Sequence, residues 1–137
     1  MKVFVLGSMQ FSEKMVEAKE FLLKKGHKAI TSKFVDEFIG KTDEEKEVIK
    51  IRQKNEENAI KVDCLQIVDS NAILVMNLDK NGIKNYVGGN VLIEMGYAHI
   101  LDKKIYLYND IPDIPYYKTE IQAMNPIILK GDLNQIE

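Results

Sequence analysis

Two carboxylates sit where apolar residues are expected. Glu94 lies in "NYVGGNVLIEMGYAHIL", residues 85–101, one turn inside a stretch that is otherwise almost wholly apolar. Asp63 interrupts "IKVDCLQIV" in the same way. A carboxylate in apolar surroundings is costly unless it is paired or reached through a cleft. Burial raises its pKa and a nearby helix start lowers it, so environment alone can push two acids apart and give them separate acid–base or nucleophilic roles. A plainer reading stands beside this one. Asn90, Glu94 and Tyr97 share one helical face that water could cover, and an aspartate is common on helix surfaces.

Two glycine-containing turns lie at positions suited to holding a ligand. Gly7 and Ser8, followed by Met9, come directly after the apolar run "KVFVL". A glycine there lets the backbone approach a ligand and the serine adds a hydroxyl, but neither G-x-G-x-x-G nor the P-loop lysine is present. Gly88 and Gly89 precede Asn90, which reads as the N-cap of the helix carrying Glu94. Free N–H groups at a helix start favour an anion or a ligand oxygen. Tight turns without a ligand explain the same residues.

Composition narrows the function classes. The chain has 137 residues, 45% hydrophobic and 29% charged, with a formal charge of -2. These values fit one soluble domain spanning 1–137. No basic stretch is interleaved with aromatics, which argues against nucleic-acid binding. The lone Cys64 permits no internal disulfide, and His27 and His99 lack ligand spacing, so neither a metal nor a cofactor is expected. No run approaches the ~20 apolar residues of a membrane span and no targeting segment is visible, so a cytoplasmic location is the expectation.

The elements that must position these residues alternate. "KVFVL", "HKAIT", "NAILVMN", "KKIYLYN" and "PIILK" read as five strands. "SEKMVEAKEFLLKKG" reads as a helix capped by Ser12 and ended by Gly26. Thr42 to about Asp69 forms one long periodic segment, opened by a Thr42–Glu45 capping box, with Val62, Cys64, Leu65 and Val68 as core. "YYKTEIQAM" is a short helix, and "IPDIPYY" a lid or an interface edge. Strands alternating with helices imply an α/β fold of flavodoxin-like order, a five-stranded parallel sheet with helices on both faces. Such folds bind ligands beyond the carboxyl ends of the strands. That rule gathers Gly7, Ser8, the loop after Asn77, and Asn109 onward.

"VFVLGS", "VDCLQIVDSNAILVMN" and "GGNVLIEMGYAHILDKKIYLY" resemble the nucleoside 2-deoxyribosyltransferase superfamily, which includes the 2'-deoxynucleoside 5'-phosphate N-hydrolases. The resemblance implies Glu94 as nucleophile and Asp63 as the acid at the nucleobase. It places Gly7 and Ser8 near the sugar or its 5' end, and Gln122 at the position of a serine that contacts phosphate across a subunit interface. Its further implications are a small nucleoside or nucleotide as partner and a homodimer or larger homo-oligomer. The activity implied is cleavage or transfer at an N-glycosidic bond; a catalytically inactive nucleotide-binding module of the same fold is the alternative. This chain departs from the family pattern at Phe4, Gly88, Asn90 and Gln122, in its longer loop from Leu78 to Gly88, and across residues 32–55.

Overall fold

The computed structural model describes residues 1–137. Five parallel strands, β1 Lys2–Leu6, β2 Lys28–Thr31, β3 Ala72–Val75, β4 Lys104–Leu107 and β5 Ile127–Ile128, lie in the order β2-β1-β3-β4-β5. This is the doubly wound, flavodoxin-like order, and it reverses direction at β1 and β3. Register pairs Val3 with Ala29 and with Ala72, and Ala72 with Lys104.

Five helices surround the sheet: α1 Ser12–Lys24, α2 Asp43–Glu56, α3 Ala59–Val68, α4 Gly89–Ile100 and α5 Lys118–Ala123. Alternation along the strands supplies both faces. Val3, Val5, Ala72 and Leu74 pack with Met15, Ala18 and Leu22 of α1. Phe4, Leu6, Ile73 and Val75 pack with Ile67 of α3, with Val91, Met95 and Ala98 of α4, and with Ile121 of α5. The fully buried Val, Leu, Ile, Phe and Met side chains among these each contribute about 1.5–3 kcal/mol. No helix is long and apolar enough to cross a membrane.

Several elements differ from the sequence expectation. The long segment from Thr42 is two helices, because Asn58 adopts a left-handed backbone (φ 55, ψ 41) between them. Asparagine is among the few side chains that tolerate this region, and a helix cannot continue through it. The break resets the rotational phase of α3. Ala59, Asp63 and Ile67, one turn apart each, face inward, while Leu65 and Val68 are exposed and Cys64 and Val62 are half-buried. The expected core on this helix was therefore misplaced, and Asp63 takes an inward position.

The Thr42–Glu45 capping box is present in both directions. Ser12 begins α1 rather than preceding it; Phe11 holds the cap position and the Ser12 hydroxyl donates to the Met9 carbonyl. Gly88, not Asn90, is the N-cap of α4, in extended conformation and with no side chain closing the first turn. β5 is shorter than "PIILK" suggests, since only Ile127 and Ile128 pair with β4.

Candidate active site

Beyond the carboxyl ends of β1 and β3 lies a cleft of about 140 Å³, at the place where strand order reverses. Its walls come from the turn after β1, from α2 and α3, from the loop after β3 and from the start of α4. Asp63 and Glu94 both open onto it, 5% and 7% exposed respectively. They reach it from adjacent helices, α3 and α4, which pack against each other.

Each acid has its own surroundings. Asp63 accepts a 2.7 Å hydrogen bond from the Ser32 hydroxyl, which follows β2 and is itself buried. The same hydroxyl accepts from the Phe34 backbone N–H at 3.2 Å, which fixes its orientation. Burial pushes the Asp63 carboxyl up to about 6, against the Ser32 hydrogen bond and the Lys33 charge, which pull it down. Glu94 is driven further. Burial raises its pKa well above the usual carboxylate range, and the neighbouring Asp63 charge adds to this. The start of α4 does not offset that cost, so burial outweighs the helix terminus here. Burial thus favours the protonated form of both carboxyls, of Glu94 more than of Asp63, and because the two are neighbours their protons belong to the pair.

Gly7, Ser8, Met9, Gly88, Gly89 and Asn90 line the same cleft. Gly7 has a packing reason as well as a site position: a Cβ there would lie 3.0 Å from the Met76 carbonyl oxygen, at the closely packed ends of β1 and β3. A Cβ at Gly89 would meet nothing within 4 Å, so the space in front of this turn is open. With no side-chain cap on α4, its first N–H groups remain available at the cleft.

Two expected residues lie elsewhere. Asn77 is wholly buried and does not line the cleft; its amide donates to the carbonyls of Asn109 and Asp110 at 3.1 and 3.0 Å and accepts from the Asn109 N–H at 2.8 Å. Asn109 answers with a bond to the Asn77 carbonyl at 3.1 Å. Asn77 thus ties the loops after β3 and β4 together. Gln122, expected at the site of a neighbouring subunit, is exposed on α5 and does not line the cleft of its own chain. In "IPDIPYY", Tyr116 is 88% exposed, whereas the Tyr117 hydroxyl donates to the Val87 carbonyl and packs against the apolar core. The Cys64 thiol is half-buried, and burial with the two nearby carboxylates raises its pKa, which disfavours the reactive thiolate.

Lys50, Lys54, Lys80 and Tyr86 also line the cleft, and Ser32 stands behind Asp63; the sequence did not single these residues out. Signals for some were present. Lys50 and Lys54 are four apart on one helix face, and "KNGI" carries the Asn-Gly pair of a tight hairpin turn.

No protein-family profile and no curated protein sequence matches the chain. Among solved structures it superposes on the Clostridium botulinum CMP N-glycosidase BcmB with a TM-score of 0.54, covering 93% of this chain and 85% of that one at 17% identity. The two chains share a fold. At that identity the likeness concerns the fold alone, and the residues of the cleft must argue for themselves.

Proposed function

We propose that the protein cleaves or transfers at the N-glycosidic bond of a (deoxy)nucleoside or nucleoside 5'-monophosphate, with Glu94 as nucleophile and a glycosyl-enzyme intermediate. The observation that carries this reading is the convergence of Asp63 and Glu94 on one cleft, both with pKa values pushed upward by burial. Acids perturbed by burial in a cleft are candidates for a functional site. That the fold is shared with an enzyme named as a CMP N-glycosidase supports the choice of bond.

The reaction calls for one proton shared by the pair, and burial favours Glu94 as its resting place. As the bond from C1' to the base nitrogen breaks, its electrons leave with the base and positive charge builds on the sugar. The proton on Glu94 passes to Asp63 and from there to the departing base. Glu94, now a carboxylate, bonds to C1' through one oxygen. Water then attacks C1', gives its proton to Asp63, and the ester to Glu94 breaks. A second base in place of water gives transfer instead of hydrolysis.

A second reading has its own observation. Because burial favours the protonated form of Glu94, this carboxyl could act as a hydrogen-bond donor and acceptor to a sugar hydroxyl, in a nucleotide-binding module without chemistry. One experiment separates the two: incubate the protein with a panel of nucleosides and nucleoside monophosphates and follow free base by chromatography. Base release that falls roughly 10³-fold or more in Glu94→Gln supports the enzyme. Binding without release across the panel supports the module.

Self-association is part of the proposal. Leu65 and Val68 on α3 and Ile93 and Ile100 on α4 are exposed, although their two helices are neighbours. Apolar side chains on adjacent helices support a homo-oligomer that covers them.

A further inference from the structure

We infer that Lys50, Lys54 and Lys80 form a subsite for a phosphate monoester, so that the cleft takes a nucleoside 5'-monophosphate in preference to a free nucleoside. The inference deepens the proposed function and rests on that reading for the placement of the sugar at the acid pair.

The three lysines come from two elements and line one cleft. Lys50 and Lys54 sit one turn apart on α2, where like charges repel. Lys50 pairs with Glu47 at 2.7 Å, also on α2. Lys54 and Lys80 form no ion pair, and none of the three pairs with Asp63 or Glu94. The cleft is thus bipolar, with carboxyls at one set of walls and surplus ammonium groups at another. Burial, with repulsion from Lys50, lowers the pKa of both Lys54 and Lys80; Glu47, and Asp43 in the case of Lys80, offset this only in part. A cleft that gathers like charges at a cost is relieved by an anion.

Lys80 is also held in place before any ligand arrives. Its loop folds into a tight turn in which Lys80 and Ile83 bridge, with Asn81 and Gly82 at φ 52 and 75. The Tyr86 N–H donates to the Leu78 carbonyl at 2.8 Å and the Asn85 N–H to Asp79 at 3.0 Å, closing the loop on itself. The ammonium group lies 4.9 Å over the Tyr86 ring and donates to the Ser8 hydroxyl at 3.1 Å. Together with the uncapped start of α4, this gives ammonium, hydroxyl and backbone N–H donors around one space. A phosphate monoester carries a charge near −2 at neutral pH and three acceptor oxygens, which match that set. A free nucleoside offers these groups no counter-charge.

The test is calorimetric titration of Glu94→Gln, which blocks turnover, with ribo- and deoxyribonucleoside 5'-monophosphates, the matching nucleosides, and inorganic phosphate alone. The inference expects at least one monophosphate to bind about tenfold or more tighter than its nucleoside. That ratio should collapse toward one in the further Lys54→Gln/Lys80→Gln variant and shrink with salt. Folding of each variant is checked by circular dichroism, and either single lysine variant serves if the double one unfolds. Equal affinity for nucleoside and monophosphate, a preference that survives loss of the lysines, or no binding overturns the subsite. Lysine-dependent binding of inorganic phosphate with no gain for the linked nucleotide marks a free-phosphate site and overturns it too. If monophosphates bind through the lysines yet wild-type protein releases no base, the subsite stands and the glycosidic reading falls. If wild-type protein cleaves nucleosides and monophosphates with equal kcat/KM, the reverse holds.

Discussion

Ser32 and Asp63, 31 residues apart, meet in a 2.7 Å hydrogen bond between two buried side chains. The donor stands just beyond β2 and the acceptor on the inward face of α3. The bond ties the sheet edge to the acid pair and opposes the effect of burial on Asp63. Removing the hydroxyl should therefore raise the Asp63 pKa above about 6. If the pair must hold one proton to act, activity in wild-type protein rises as pH climbs through that value. Ser32→Ala should move this acid limb upward by roughly half to one pH unit, with a smaller effect on the plateau rate. A pH–rate profile checks this, and an unmoved limb would remove Asp63 from that titration.

The acid pair should also make stability depend on pH. Asp63 has a folded-state pKa of about 6 against an ordinary value of 3.8, so the folded protein binds the proton more tightly than the unfolded chain. Its contribution is fully present below the ordinary value and is lost as pH rises through about 6. A displacement of this size corresponds to roughly 3 kcal/mol. Glu94, raised further, extends the loss to higher pH. Glu13, Glu37, Glu45 and Glu47 have lowered pKa values and act in the opposite direction, but only in more acidic solution. As pH rises from about 5 through about 6 and beyond, the pair dominates among these carboxyls. Melting temperature should fall over that window in wild-type protein and fall much less in the Asp63→Asn/Glu94→Gln double variant. Parallel slopes for the two proteins would contradict the assignment.

Asn77 should matter for stability rather than for ligand. Its side chain satisfies the Asn109 N–H and the carbonyls of Asn109 and Asp110, in a place where water does not reach its own atoms. Truncation strands buried polar groups, at about 2–3 kcal/mol. Asn77→Ala is expected to lower the denaturant midpoint while leaving KM, or ligand affinity, near wild type. A large affinity loss at unchanged stability would return Asn77 to the site.

If copies of the chain meet through α3 and α4, a charge there should separate them. Ile93 is 52% exposed and Leu65 54% exposed, so Leu65→Glu or Ile93→Glu costs the monomer little. Sedimentation velocity should show a smaller species for either variant than for wild type. Wild-type protein that sediments as a monomer at high concentration would leave these residues as isolated surface apolars.

Most of the fold was legible because its signals are local and repeated. The five apolar runs are short, β-rich and separated by helical spacing, which leaves little besides a parallel sheet. The helix break was not legible, since the left-handed turn at Asn58 lies in a charged stretch where periodicity is weak in any case. That single residue accounts for both the misjudged core on α3 and the uncertainty over Asp63. Asn90 was expected as a cap because its side chain suits the role; Gly88 fills it because the backbone before α4 is extended there. Lys54 and Lys80 come from separate segments that only the folded chain brings to one cleft, and Ser32 from a third that it brings behind Asp63. Spacing along the chain carries no trace of such long-range meetings.

The interruption at Asn58 has one more effect. Because α2 and α3 are phased independently, the wall bearing Lys50 and Lys54 can be redrawn without rotating Asp63 away from Glu94. If the lysine wall grips the ligand and the acid pair acts on it, the two tasks are carried on separately adjustable parts, and relatives with altered specificity should differ first in residues 43–56.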